Sequence, residues 1–100
     1  MSVLVIGHMT VDPVNVERIW KDRKADFVAV AKQAKAAGAK HHQWAFGDGQ
    51  VVIVDEWDDA ASFQKFFESN TVIPSLMQDG GVQGPPTFEI LELRTGPDAF

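Results

Sequence analysis

The residues best suited to proton transfer in this sequence are three histidines, two of which precede a predicted hairpin turn. A two-residue turn at Asp48-Gly49 places His42 opposite Asp55 and His41 opposite Glu56. A three-residue loop instead places His41 opposite Asp55 and His42 opposite Glu56. Directly opposed residues are about 5 Å apart at Cβ, so either register sets a histidine beside a carboxylate.

A carboxylate beside an imidazole orients the ring and suits it to proton transfer. His42 and Asp55 are therefore the predicted catalytic pair; the alternative is an ion pair that only stabilises the sheet edge. His8 is a further catalytic candidate, near the end of a central strand and beside the expected cavity. It can act as a general base, contact a ligand, or bond a backbone carbonyl in the core.

One arginine and four aromatic residues are the candidates for binding a ligand. Arg23 falls on the apolar stripe of the first predicted helix. Its guanidinium can clamp a carboxylate or enolate oxygen there, or its stem can cover the core while the charge reaches water. The aromatic candidates suit an apolar, ring-containing ligand between sheet and helices, with core packing as the alternative. They are Trp20, Phe27, Trp44 and Phe66.

Composition limits the classes of function. The chain has 100 residues, 45% of them hydrophobic, a net charge of −5 and no cysteine. We therefore expect one globular domain, no nucleic-acid partner and a cytoplasmic location. No apolar run is long enough to span a membrane. No cofactor is predicted, and no metal site, because His41 and His42 point to opposite faces of one strand.

The predicted elements follow the order β-α-β-β-α-β. Two strands, Val3–Ile6 and Val51–Val54, are continuously apolar, so both should be central and buried on both faces. The strands at 41–46 and 87–94 are interrupted by polar residues, as edge strands are. This predicts an α+β, ferredoxin-like fold with antiparallel sheet order 4-1-3-2. The domain is expected to cover residues 1–94, followed by an extended tail at 95–100.

Two helical segments connect the strands of this arrangement, and the second is interrupted at Asn70 and Thr71 before a short piece at 73–78 that can also be helical. The first should run about 25 residues from Pro13 and stop at Gly38, which is long enough to require a bend or an overhanging end. Two helices cover only one face of a four-stranded sheet. A soluble protein rarely leaves a large apolar face exposed, so we expect a second copy of the chain to cover it.

The segment Val52–Phe67, VIVDEWDDAASFQKFF, resembles the dimeric α/β-barrel superfamily, in particular its antibiotic-biosynthesis-monooxygenase-like group. The resemblance covers nearly the whole chain in element order. It implies that two sheets close into a barrel between subunits and that a ligand cavity lies between each sheet and its helices. Relatives include cofactor-free oxygenases of aromatic substrates and haem-degrading enzymes.

The sequence also departs from that group. Members often have a histidine nine residues after the strand-ending tryptophan, and here that position, counted from Trp57, is Phe66. There is also no tyrosine, a proton donor in some relatives. The first hypothesis is a cofactor-independent monooxygenase acting on an aromatic or polyketide-like molecule. The alternative is a non-catalytic dimer that binds a small apolar ligand or has a structural or stress-related role; haem degradation is a weaker third.

Overall fold

The computed structural model describes residues 2–100; Met1, the first residue of the predicted domain, lies outside the described residues. Eight elements follow one another along the chain. They are β1 (Val3–Thr10), α1 (Pro13–Asp22), α2 (Lys24–Ala37), β2 (Ala39–Gly47), β3 (Gln50–Trp57), α3 (Ala60–Ser69), α4 (Val72–Gly80) and β4 (Gln83–Glu92). Each helical connection of the predicted β-α-β-β-α-β order is thus divided into two helices.

The four strands form one antiparallel sheet in the order β2-β3-β1-β4. This confirms the predicted order 4-1-3-2 and the ferredoxin-like α+β fold. The apolar strands β1 and β3 are central, and the more polar strands β2 and β4 are the edges.

The hairpin between β2 and β3 has the two-residue turn. Phe46 pairs with Val51, His42 with Asp55, and His41 with Glu56. The register shifts between Ala39 and His41, so that β2 has one residue more than β3 at this point. Of the two registers that the sequence left open, the one that sets His42 beside Asp55 is therefore correct.

The long first helix is broken at Arg23. Asp12 caps α1 by accepting a hydrogen bond from the Val14 N–H at 3.0 Å, and Pro13 begins the helix. Arg23 leaves the helical conformation, with φ −124° and ψ 35°, and α2 starts at the next residue. The expected bend is thus a complete interruption between α1 and α2.

The last strand begins earlier than the predicted 87–94. It starts at Gln83 and includes Pro85 and Pro86. Proline is tolerated there because β4 is an edge strand and one side of it needs no ladder hydrogen bond. After β4, a turn at residues 97–98 lies within the segment predicted as an extended tail. The division into a domain and a tail stays a prediction.

The two faces of the sheet differ in what covers them. In β1, Val5, Gly7 and Met9 are buried beneath the helices, while the alternating Ile6 and His8 lie on the opposite face and are only half-buried. The helix-covered face contains two apolar clusters. One has Met9, Val11, Val16 and Val51 at its centre, and the other has Val5, Trp57 and Phe63.

Candidate functional site

A cavity of about 460 Å³ lies between the helix-covered face of the sheet and the helices, and both apolar clusters contribute to its walls. This volume is in the range of sites for small organic ligands. Gly7 allows the Phe88 ring to pack against the sheet in the cavity wall, because a Cβ at Gly7 would come within 2.8 Å of that ring. The exposed lining residues belong to α2 and β2, so the cavity opens between these two elements.

A histidine and a buried aspartate lie together in this cavity wall. Asp55 and His42 both line the cavity. His42 Nδ1 is 2.6 Å from Asp55 Oδ1, and the side chains are 47% and 11% exposed, respectively. The second carboxylate oxygen, Oδ2, accepts a hydrogen bond from the indole N–H of Trp57 at 3.2 Å. Both oxygens of the buried carboxylate are therefore satisfied by protein donors.

This arrangement determines which nitrogen of His42 is free. An ionised carboxylate only accepts hydrogen bonds, so Nδ1 must be the protonated nitrogen of the ring. In the neutral imidazole, Nε2 then carries the lone pair. A carboxylate that holds the tautomer and stabilises the imidazolium is the same logic by which an aspartate supports histidine in hydrolytic triads. The pair can therefore take a proton from a ligand at Nε2.

A chain of aromatic rings in contact with one another begins at His42. The ring of Trp44 meets His42 edge to face, with centroids 5.6 Å apart. Trp20 contacts Trp44 at 5.5 Å and stacks on Phe46 at 5.2 Å, and Phe27 lies 6.3 Å from Trp44. Flat apolar rings of this kind suit a ligand that is itself aromatic. The structure thus brings Trp20, Phe27 and Trp44 together with His42.

Phe66 also lines the cavity, but from α3. Its ring packs against Trp57, with centroids 5.3 Å apart. A phenylalanine has no atom that could ligate iron, and the resemblance would place a histidine at this position, nine residues after Trp57. The residue at this position therefore does not fit a haem iron, and Phe66 forms part of the apolar wall.

His8 is separated from this group by the sheet. It lies on the face away from the helices, is not among the residues lining the cavity, and has a 43% exposed side chain. Its nearest acid is Glu89, 3.9 Å from Nε2. The expectation that His8 adjoins the cavity is wrong, because alternation along β1 directs its side chain to the other face.

Arg23 does not line the cavity either. Its guanidinium donates to Asp26 Oδ2 and to the backbone carbonyl and hydroxyl oxygens of Ser75, at 3.0, 3.1 and 2.8 Å. These bonds tie the break between α1 and α2 to α4. The expected position on a continuous helical stripe is lost because the helix stops at this residue.

Two features of the site were not predicted from the sequence. The indole of Trp57 completes the bonding of Asp55, and the signal for it was their spacing of two residues, which sets both on one face of β3. Lys24 and Lys35 line the cavity from α2. They are spaced by 11 residues, close to three helical turns, and therefore share one side of the helix.

Neither a metal cluster nor a membrane-spanning helix is found in the described part of the chain. No group of three or more His, Cys, Asp or Glu side chains within residues 2–100 could hold a metal ion. Over the same range, no helix combines the length and the apolar character that crossing a membrane requires.

The fold is shared with several solved structures. A cofactor-independent oxygenase from Streptomyces nogalater, SnoaB in a point-mutant form, matches with a TM-score of 0.62 and 15% identity, over 97% of each chain. A protein described as an antibiotic biosynthesis monooxygenase matches with a TM-score of 0.64 and 12% identity, over 93% of this chain and 99% of its own. These likenesses establish a common fold.

A third similar structure is a dimeric ferredoxin-like protein from an uncultured marine organism. It matches with a TM-score of 0.66 and 16% identity, over 95% of this chain and 90% of its own. No family model matches the sequence, and no curated protein matches it. The chain therefore has the fold of the monooxygenase-like group that its sequence resembles.

Proposed function

We propose that this protein is a cofactor-independent oxygenase of an aromatic, polyketide-like small molecule. The observation that carries the proposal is the bonding of His42 to the buried Asp55 in the wall of an aromatic cavity. SnoaB, which has the same fold, is named as a cofactor-independent oxygenase. A non-catalytic ligand-binding or structural dimer is the alternative that the test must separate from this function.

The reaction begins with a carbon acid, a methylene group made acidic by adjacent aromatic and carbonyl groups. His42 Nε2 takes one proton from the methylene carbon, and the carbanion keeps the electron pair of the broken C–H bond. One electron passes to O2, and the two radicals join in a C–O bond to form a peroxide, which takes a proton. Loss of the second methylene proton with cleavage of the O–O bond releases water. The balance is CH2 plus O2 to C=O plus H2O.

Oxygen uptake with anthrone, a methylene compound of this type, tests the proposal. General base catalysis contributes about 10² to 10⁴ in rate, so His42→Gln should lower kcat by that factor. His8→Gln, which changes a histidine on the other face, should stay within about twofold of wild type. Equal rates for wild type and His42→Gln, or no uptake above the buffer rate with anthrone and related quinols, would leave the non-catalytic alternative.

We also propose that the chain forms a homodimer through the sheet face that the helices do not cover. Apolar side chains of the three strands β1, β3 and β4 lie there, and Leu91 remains 50% exposed. The others on this face are Leu4, Ile6, Val52 and Val54, all half-buried. Covering this surface would remove apolar area from water at about 25 cal/mol per Å².

Light scattering at micromolar concentration tests the dimer. Wild type should have about twice the mass of one chain. Val54→Glu introduces a charge at the centre of the open face and should give a monomer. Val14→Glu is the matched control, since Val14 is 70% exposed on α1, and it should remain a dimer. A monomeric wild type would exclude this interface. The cytoplasmic location and the lack of a nucleic-acid partner stay predictions of the sequence.

A further inference from the structure

The charged residues at the cavity mouth are unevenly distributed. The charged side chains in the lining, counting histidines, are three lysines, His41, His42 and a single acid, Asp55. Asp55 is already bonded to His42 and Trp57. Lys40 is also engaged, with Ser2 Oγ at 2.6 Å and Asp58 at 3.5 Å. Lys24 and Lys35 have no ion pair within residues 2–100, so two lysines of the mouth are uncompensated.

The two lysines stand on one side of α2 with apolar residues between them. Val28 and Ala31 also line the cavity, and the spacings from Lys24 through Val28 and Ala31 to Lys35 are four, three and four residues. Such spacing produces a continuous stripe on a helix. At 1.5 Å per residue, the two lysine Cα atoms are about 16 Å apart. One apolar stripe with a positive charge at each end therefore borders the opening.

The sequence around the two lysines is also rich in positive charge. The chain is negative overall, with 14 acids and nine basic residues. Seven of the nine basic residues nevertheless fall between Arg18 and Lys40, a segment with only two acids, Asp22 and Asp26. Both of these acids are within 4.0 Å of an arginine, Arg18 or Arg23. The two arginines also pair with Asp79, so the surplus positive charge of the segment belongs to its lysines. A basic rim around a low-dielectric cleft attracts anionic ligands and raises their local concentration.

We propose that the cavity selects an aromatic ligand that carries a carboxylate, with its rings among the aromatic side chains and its carboxylate at Lys24 or Lys35. This deepens the proposed function by naming the substrate class, and it rests on the same cavity. The lysines act on binding rather than on the reacting carbon. A neutral ring of the same size lacks the interaction, and salt weakens it.

Binding is measured without oxygen, by quenching of tryptophan fluorescence, with an anthrone carboxylic acid and its methyl ester as the probes. For the wild type at low salt, the acid should bind about two- to fivefold more tightly than the ester, an order expected for partly exposed charge pairs. The double variant Lys24→Gln/Lys35→Gln should remove this preference and leave binding of the ester unchanged, and one of the two single variants should account for most of the loss. Lys32→Gln, on the same helix but outside the lining, should retain it.

Equal binding of acid and ester by the wild type would overturn the proposal, and so would an equal loss in Lys32→Gln. The proposed oxygenase function fails separately. If the wild type prefers the carboxylate but takes up no oxygen, the lysine proposal stands and the oxygenase proposal fails. If it takes up oxygen without the preference, the oxygenase proposal stands and the lysine proposal fails.

Discussion

Two histidine–carboxylate pairs occupy opposite faces of the same sheet, and they differ in distance, in exposure and in hydrogen bonding. His42 and Asp55 are 2.6 Å apart, and the Asp55 carboxylate is 11% exposed and bonded on both oxygens. His8 and Glu89 are 3.9 Å apart, with side chains 43% and 58% exposed in the single chain. Both pairs join an imidazole to a carboxylate, so burial and geometry make the difference. A carboxylate that is withdrawn from water and fully bonded holds its imidazole in one orientation.

The largest effect should come from neutralising the buried acid. Asp55→Asn keeps the shape but can donate to His42, which favours the wrong tautomer. We expect kcat for anthrone oxidation to fall by at least about 100-fold. Glu89→Gln, the equivalent change in the other pair, should leave kcat within about twofold. If both variants behaved alike in oxygen uptake, the difference between the pairs would have no catalytic meaning.

The second prediction concerns the indole that completes the bonding of Asp55. Trp57 is 1% exposed, so Trp57→Phe removes a donor to a buried carboxylate and leaves a small void. We expect the free energy of unfolding in urea to fall by about 2 to 3 kcal/mol. The control is Trp44→Phe, whose half-buried indole makes no hydrogen bond within the described part of the chain. A similar loss in both variants would show that only ring size is measured.

A double-mutant cycle on each pair compares them directly. For His42→Gln and Asp55→Asn, we expect a coupling in the free energy of unfolding of about 1 kcal/mol or more, since the hydrogen bond involves a charged, buried acceptor. For His8→Gln and Glu89→Gln, the coupling should be below about 0.5 kcal/mol, because the 3.9 Å between the two side chains is too long for a hydrogen bond. Equal couplings would contradict the distinction drawn from the two distances.

The smallest effect is a pH dependence unrelated to either pair. Hydrogen bonds from the Ser62 backbone N–H, at 2.7 Å, and from the Ser62 side chain hold the pKa of Asp59 below its ordinary value. The ionised form is thus favoured in the folded state. Its stabilisation is complete above the ordinary pKa and is lost as the pH falls through the lowered one.

Asp59→Asn keeps a capping oxygen without a charge. Urea midpoints measured between neutral and strongly acidic pH should therefore fall less in Asp59→Asn than in wild type. Because the two proteins share every other titratable group, the difference between them isolates the contribution of the cap. Identical slopes for both proteins would show that the cap does not contribute.

Much of the sheet could be predicted from local pattern. Continuous apolar runs identified β1 and β3 as central, and Asp48-Gly49 specified a two-residue turn or a loop one residue longer. The choice between them was left to the structure, where pairing of Phe46 with Val51 decided it. The break at Arg23 could not be predicted from the sequence, because the residues on both sides have a helical pattern. Two of the side-chain hydrogen bonds of Arg23 go to Ser75, 52 residues away.

The same distinction applies to the candidate site. The sequence by itself determined that His42 and Asp55 could meet, since a hairpin register depends on neighbouring residues and a local turn. Only the tertiary structure decided that Asp55 is buried, that Trp57 bonds its second oxygen, and that His8 faces away from the cavity. A continuously apolar strand carries no sign of which face receives the helices. That choice depends on packing between distant segments.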